Sequence, residues 1–140
     1  MKLLTKSSDY AIRALLELAK NKNDFLSSRD IAKRQKMPYH FLRKALRELI
    51  RNNFVISKEG GGGGFKIAKD PAKIRIGKVM ETFQGQTRLS ECMFRKKMCR
   101  NRSACVLRVE IMAIEKLLHD RFHEITIKRL LEIKRKVRRG

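Results

Sequence analysis

All three cysteines of the chain, Cys92, Cys99 and Cys105, fall in one short stretch with the spacing C-x6-C-x5-C. No acidic residue lies between the first and the last, whereas Arg95, Lys96, Lys97, Arg100 and Arg102 all do. Neighbouring positive charge favours the thiolate, the form that binds metals. The paired C-x2-C knuckles that frame structural zinc sites are missing. The looser spacing suits a loop wrapped around something larger than one ion, and an iron-sulfur cluster has that size. Such clusters are usually held by four ligands, so three thiols leave one position to be filled from elsewhere. Plainer readings are three small buried hydrophobes, a disulfide with a spare thiol, or a structural zinc site. A thiol-disulfide oxidoreductase would need a C-x-x-C pair and a base, and neither is evident, so the chain does not read as an enzyme.

At 140 residues the chain has room for one compact domain or two small modules sharing a core. Hydrophobic residues make up 42%, which excludes a largely disordered chain; aromatics are only 6%, so the core must be aliphatic. Lys and Arg number 35 against 14 Asp and Glu, a formal charge of +21 that calls for a polyanionic partner. Nucleic acid comes first and an anionic membrane surface second. No window approaches the ~18 consecutive apolar residues of a membrane span, and charge at Lys2 interrupts any apolar leader. Clustered thiols without an export signal suit a reducing compartment, so the expected location is cytoplasmic.

The elements that must position these groups follow from periodicity. Ser7 or Ser8 can cap a first helix running to about Asn21, with Ala11, Leu15, Leu18 and Ala19 on one stripe. Ser27 to Asp30 opens a short second helix that ends near Gln35, before Met37-Pro38. A third helix buries Leu42, Ala45, Leu46 and Leu49 and turns His40, Arg43, Lys44, Arg47 and Arg51 outward. A short helix, a tight turn and a basic helix make a helix-turn-helix. From Phe54 the period becomes alternating: 54–56 and 65–68 read as the strands of a hairpin around Gly60 to Gly64. No Gly-Lys-Ser/Thr follows those glycines, so they read as a wing tip between Lys58 and Lys66 and not as a nucleotide loop. His40, Arg43 and Lys44, with Tyr39, are the candidates for base-edge contact; Arg47, Lys58 and Lys66 suit phosphates.

Asp70-Pro71 divides a DNA-binding module, 1–70, from a second part, 71–140, with a connecting helix through Phe83, the thiolate loop, a long helix and a basic tail. The long helix starts near Ser103 and repeats Leu107, Ile111, Ile114 and Leu118. At roughly 20 residues it would be ~30 Å long, more than this small chain can cover, so a second copy is its expected partner; the other reading packs it on the first helix. Thr126 can start a last helix, and the tail from Lys134 reads as solvated charge or a phosphate-contacting arm. His119 and His123 stand i, i+4 on one helical face; one reading is a metal-binding pair, and without a carboxylate motif nearby the favoured reading is a solvated pair.

Leu4 to Ala14, the wing Gly61 to Ile67 and the three-cysteine loop together resemble the bacterial winged-helix repressors of the IscR and NsrR type, from residue 1 to about 132. The resemblance implies a mainly α fold with a small β-hairpin wing, a winged helix-turn-helix plus a long dimerisation helix. It also implies a homodimer, a 4Fe-4S or 2Fe-2S cluster on Cys92, Cys99 and Cys105, and cluster-dependent binding to promoter double-stranded DNA. In the IscR-type subgroup a histidine three residues past the last cysteine is a ligand; here Arg108 stands there and cannot serve. In the NsrR-type subgroup an aspartate early in the first helix completes the cluster from the opposite subunit, and Asp9 holds the matching place. The family's usual arginine before the wing glycines is replaced by Glu59, a carboxylate that phosphates would repel. The expectation is a transcription regulator, repressor in type, that senses nitric oxide, redox state or iron supply. A DNA-binding regulator with structural zinc or a thiol switch is the alternative.

Overall fold

The computed structural model describes residues 2–89 and 99–140, and Cys92 lies outside them. In chain order the elements are α1 Lys6–Lys20, α2 Ser28–Gln35, α3 Tyr39–Arg51, β1 Val55–Lys58, β2 Gly64–Ile67, α4 Ile76–Gln84, α5 Val106–Glu124 and α6 Ile127–Arg139, with a 3-10 turn at Pro71–Lys73. This is the expected mainly α winged helix. Helix α1 is the hub: it packs on α2, α3, α4, α6 and β2.

The start of α1 differs from the sequence reading. Thr5, not Ser7 or Ser8, is the cap, its Oγ1 accepting from the Ser8 amide at 3.2 Å. Ser8 is fully buried, and its hydroxyl donates to Gln84 Oε1 at 2.7 Å. Gln84 also accepts from the Thr5 amide at 3.1 Å and donates to the Leu3 carbonyl at 2.9 Å. The last residue of α4 thus satisfies the polar groups at the start of α1, where four helix amides otherwise lack partners.

Ser27 caps α2 by accepting from the Asp30 amide at 3.1 Å. Lys36, at φ 51 and ψ 50, ends the helix in the left-handed region. Met37 and Pro38 then lead into α3, whose buried face is the expected Leu42, Ala45, Leu46 and Leu49. Antiparallel strands β1 and β2 pair from Val55 with Ile67 to Lys58 with Gly64. The hairpin is tied back to the α1–α2 connection because Leu26 and Phe65 exchange backbone hydrogen bonds of 2.7 and 2.8 Å. A Cβ on Gly64 would stand 2.4 Å from the Leu26 carbonyl oxygen, so only glycine permits that approach.

The buried core is continuous across residue 70: Ile74, Ile76, Val79, Met80 and Ile127 belong to the same cluster as the apolar faces of α1, α2 and α3. Backbone bonds from Ile76 to the Ile125 carbonyl, 2.8 Å, and from Ile127 to the Ile74 carbonyl, 3.0 Å, join the start of α4 to the α5–α6 junction. Helix α5 packs on α4, and none of its residues is buried. Leu107 is 64% exposed, Leu117 70% and Ile114 47%. The alternative in which this stripe is covered by α1 is therefore not the arrangement of the single chain. Thr126 caps α6 as expected, and the basic tail continues that helix to Arg139. Lys134 is half-buried near Lys20; burial, then the neighbouring Lys20 charge, pushes its ammonium below the ordinary lysine range. No helix among the described residues is long and apolar enough to cross a membrane.

Candidate DNA-reading face and thiolate site

The outer face of α3 presents its charges on a rigid helix, because the opposite face carries the aliphatic anchors of the core. Tyr39, His40, Arg43, Lys44 and Arg47 are all exposed. They do not act as one row. Tyr39 and Arg43 sit with Arg29 of α2: the guanidinium of Arg29 lies 5.1 Å from the Tyr39 ring centre and that of Arg43 lies 5.8 Å from it. The Ser28 hydroxyl donates to the Tyr39 oxygen at 3.3 Å, and this bond, with the Arg43 and Arg29 charges, draws the phenol below its ordinary range. The arrangement holds two exposed guanidinium groups against an aromatic face, where they suit a base edge or phosphate. His40 instead stacks toward Phe41, ring centres 4.1 Å apart. Lys44 turns to a groove of ≈ 240 Å³ that it lines with Lys6, Tyr10, Phe41 and Phe83.

On the wing, Lys58 and Lys66 converge on one ring: their ammonium groups lie 5.8 and 5.5 Å from the centre of Phe25. Phe25 precedes α2, so the wing lysines and the helix-turn-helix share a support. Arg29 and Phe25 were absent from the sequence-derived set. The clue was Arg29 in the first turn of the short helix, but nothing in the spacing shows that α2 delivers it to Tyr39.

The thiolate site is described at two of its three cysteines. Cys99 and Cys105 are half-buried free thiols. Cys99 lines an open cavity of ≈ 460 Å³ with Arg100, Arg102, Ser103 and Arg108. Cys105 is the cap residue of α5 and makes no side-chain capping bond, so its sulfur is not committed to the helix amides. The helix amino end and three arginines suit a group that is anionic once bound to thiolates. Donor type, space and charge all fit an iron-sulfur cluster. Arg108 lies on the cavity wall, where it contributes charge and no ligand.

Asp9 is not gathered with Cys99 and Cys105 within one chain. Its Oδ2 lies 3.4 Å from Arg13 Nη1, and its side chain is 42% exposed. One expectation is corrected here. The pair His119 and His123 has a carboxylate beside it after all: Glu81 of α4 places Oε1 3.3 Å from Nε2 of each ring.

A winged helix-turn-helix with a basic reading face defines a DNA-binding transcription regulator. Residues 4–133 match the Rrf2 family, described as an iron-dependent transcriptional regulator, and the chain belongs to that family. A putative HTH-type transcriptional regulator of Aquifex aeolicus is 33% identical over 129 residues, covering 91% of this chain and 90% of its own. The HTH-type transcriptional regulator NsrR of Shouchella clausii is 34% identical over 107 residues, 75% of this chain and 72% of its own. Among solved structures, IscR of T. potens superposes with a TM-score of 0.76 at 20% identity, over 96% of this chain and 88% of its own. The relatives are regulators of transcription, and the family is not one of enzymes.

Proposed function

We propose that the chain is a dimeric, repressor-type regulator in which an iron-sulfur cluster on Cys92, Cys99 and Cys105, completed by Asp9 of the partner subunit, controls binding to a DNA operator. The observation that carries this reading is the Cys99 cavity: a free thiol walled by Arg100, Arg102, Ser103 and Arg108 and open enough for a cluster, with a second free thiol, Cys105, at the head of α5. Bound there, the cluster would supply a centre reactive toward nitric oxide or oxidants. This chain's residues supply the transmission. Cys105 heads α5, the helix whose exposed apolar stripe suits a second copy. Gln84 ends α4 and grips Thr5 and Ser8, beside Asp9 at the start of α1. Joining the thiols would therefore couple the head of α5 to α4, whose last residue holds the hub of the reading head. Releasing them shifts the population toward reading heads set at the wrong separation for two half-sites about one duplex turn apart.

Absorption spectroscopy with iron and acid-labile sulfide analysis of protein purified without oxygen tests the reading. A coloured preparation containing both iron and sulfide is expected. A colourless, iron-free protein that refuses reconstitution overturns it, and a stoichiometric zinc content would establish the structural-zinc alternative.

A further inference from the structure

Away from the thiolate loop, three side chains converge that neither the family match nor the cluster reading uses. Glu81 projects from α4, and His119 and His123 project from successive turns of α5. Both histidine Nε2 atoms lie 3.3 Å from the same oxygen, Glu81 Oε1. The two rings are stacked with centres 4.1 Å apart and planes inclined by 25°. All three ligand atoms lie within 4.8 Å of one another, and among the described residues this is the group of His, Cys, Asp and Glu side chains that gathers in this way.

The other nitrogen of each ring is already engaged. His123 Nδ1–H donates to the His119 carbonyl at 2.8 Å, and His119 Nδ1–H donates to Asp120 Oδ1 at 3.2 Å. In the neutral rings this leaves both Nε2 atoms as acceptors beside a carboxylate oxygen, three acceptors brought close to one another. Histidines that bind metals are oriented in this way, with the second ring N–H held by a backbone carbonyl or a carboxylate. The two histidine-to-glutamate separations of 3.3 Å agree. For ligand distances of about 2.0–2.1 Å, the edge of a tetrahedron is about 3.3–3.4 Å, whereas 3.3 Å is long for a charged N–H···O bond.

The surroundings support the same reading. A Cβ on Gly77 would stand 2.2 Å from His123 Nδ1, so glycine makes the room in α4 that the ring occupies. Nearby cations are turned away: Lys116 is paired with Asp120 at 2.5 Å, and Arg75 donates to the His123 carbonyl at 2.8 Å. His119 is 51% exposed at its side chain, so an ion has a path in and room to keep water or a further ligand.

From this geometry we propose that Glu81, His119 and His123 form a second metal site, for a divalent transition ion of the zinc, cobalt or iron(II) class. Two imidazoles and one carboxylate suit such ions better than calcium or magnesium, which take oxygen ligands. The ion would bolt α5 to α4, fixing the long helix against the element whose last residue, Gln84, grips α1. Metal supply would then set the posture of the dimerisation helix independently of the thiols. The proposal does not depend on the cluster reading.

Cobalt(II) titration of the metal-free, reduced full-length protein tests it, since cobalt reports its ligands by colour. With all three cysteines changed to serine, one cobalt per chain is expected with visible d–d bands and no thiolate-to-metal charge transfer, displaced by zinc; in the parent the same bands are expected beside any contribution from the thiols. Outer partners of metal-bound histidines are worth roughly 10- to 100-fold in affinity, so His119→Gln, which removes a ligand from an exposed position, should weaken binding by more than about 100-fold. Zinc should raise the melting temperature of the parent and leave that of His119→Gln unchanged. Cobalt binding of parental strength in both His119→Gln and Glu81→Gln overturns the site. So does bound cobalt whose spectrum is wholly thiolate in character and vanishes in the serine variant.

Discussion

Arg13 holds Asp9 and the end of α2 at once: its Nη1 lies 3.4 Å from Asp9 Oδ2, its Nε donates to Gln35 Oε1 at 3.3 Å, and its Nη2 donates to the Gln35 carbonyl. Within one chain the aspartate is thus occupied by a neighbour one turn along its own helix. A partly exposed i, i+4 pair of this kind is worth only ~0.3–0.5 kcal/mol, which a metal ligand bond would readily outcompete. The pair therefore keeps Asp9 oriented without binding it tightly.

Asp9→Ala should fold and dimerise with a stability loss of no more than ~1 kcal/mol, the upper range for a first-turn carboxylate. Its cluster should have an altered spectrum and a changed reaction with nitric oxide. Arg13→Ala, which frees Asp9 but leaves the carboxylate in place, should keep the parental spectrum. If Asp9→Ala matches the parent in both spectrum and operator response, Asp9 is a helix-end charge paired with Arg13, and the fourth ligand is another group.

The reading face gives a second expectation. Arg43→Ala should cost ~1–3 kcal/mol on the preferred operator and relax the preference at one base pair, as loss of a bidentate base contact does. Arg29→Ala should weaken all duplexes alike and reduce the slope of log affinity against log salt by about 0.9 if it neutralises one phosphate. Equal losses on every sequence for Arg43→Ala would reassign that residue to the backbone.

The exposed stripe of α5 predicts the assembly. Leu117 is 70% exposed in the single chain, so Leu117→Glu should leave helicity and the apolar core intact. If a second copy covers that stripe, sedimentation should show the variant shifting to monomer, with operator affinity falling as half-sites are no longer bound together. A variant that sediments as the parent does would place the interface elsewhere.

Glu17 supplies a pH signature of the α1–α2 junction. It is only 3% exposed, and burial alone would raise its carboxyl, but Lys20 and Gln35 both donate to it and hold it below its ordinary value of 4.5. A folded-state value below the unfolded one contributes stability that is present above about pH 4.5 and is lost as pH falls through the folded value. Melting temperature followed from neutral pH down to about pH 3 should fall more steeply for the parent than for Glu17→Gln. Parallel curves would show that the Lys20 and Gln35 contacts do not stabilise the ionised form.

Much of this architecture was legible because it is written locally. The i, i+3, i+4 and i+7 spacing of Leu42, Ala45, Leu46 and Leu49 gave the buried face of α3, and the change to alternation after Phe54 gave the hairpin. The cap of α1 was misplaced by two or three residues because Thr5, Ser7 and Ser8 are equivalent as local capping signals. What separates them is Gln84, far along the chain, which draws Ser8 inward. The same limit hid Glu81 from the histidine pair and Arg29 from Tyr39. Periodicity assigns a side chain to a face, but which other face it meets depends on how helices pack. The thiols were legible as a set because three cysteines and five basic residues lie close together in sequence, although the space beside Cys99 is a property of the fold.

Gln84 offers the sharpest test of how the thiolate loop and the reading head are joined. It receives hydrogen bonds from the Thr5 amide and hydroxyl and the Ser8 hydroxyl and gives one to the Leu3 carbonyl, so it meets three residues at the start of α1 from the last position of α4. Because Ser8 is fully buried, Gln84→Ala should leave its hydroxyl without that acceptor, at a cost of ~1–3 kcal/mol. Urea denaturation should show this as a lower midpoint with an unchanged slope. Stability alone would fit any buried polar contact, so the decisive measurement is operator affinity with and without the cluster. If Gln84 carries the state of the loop to α1, those two affinities should approach each other in Gln84→Ala, while an equally destabilising Leu49→Ala, in the core of α3, keeps them as far apart as in the parent. Should both variants preserve the full difference, the signal travels through α5 and the dimer contact, and Gln84 serves only to seat the first helix.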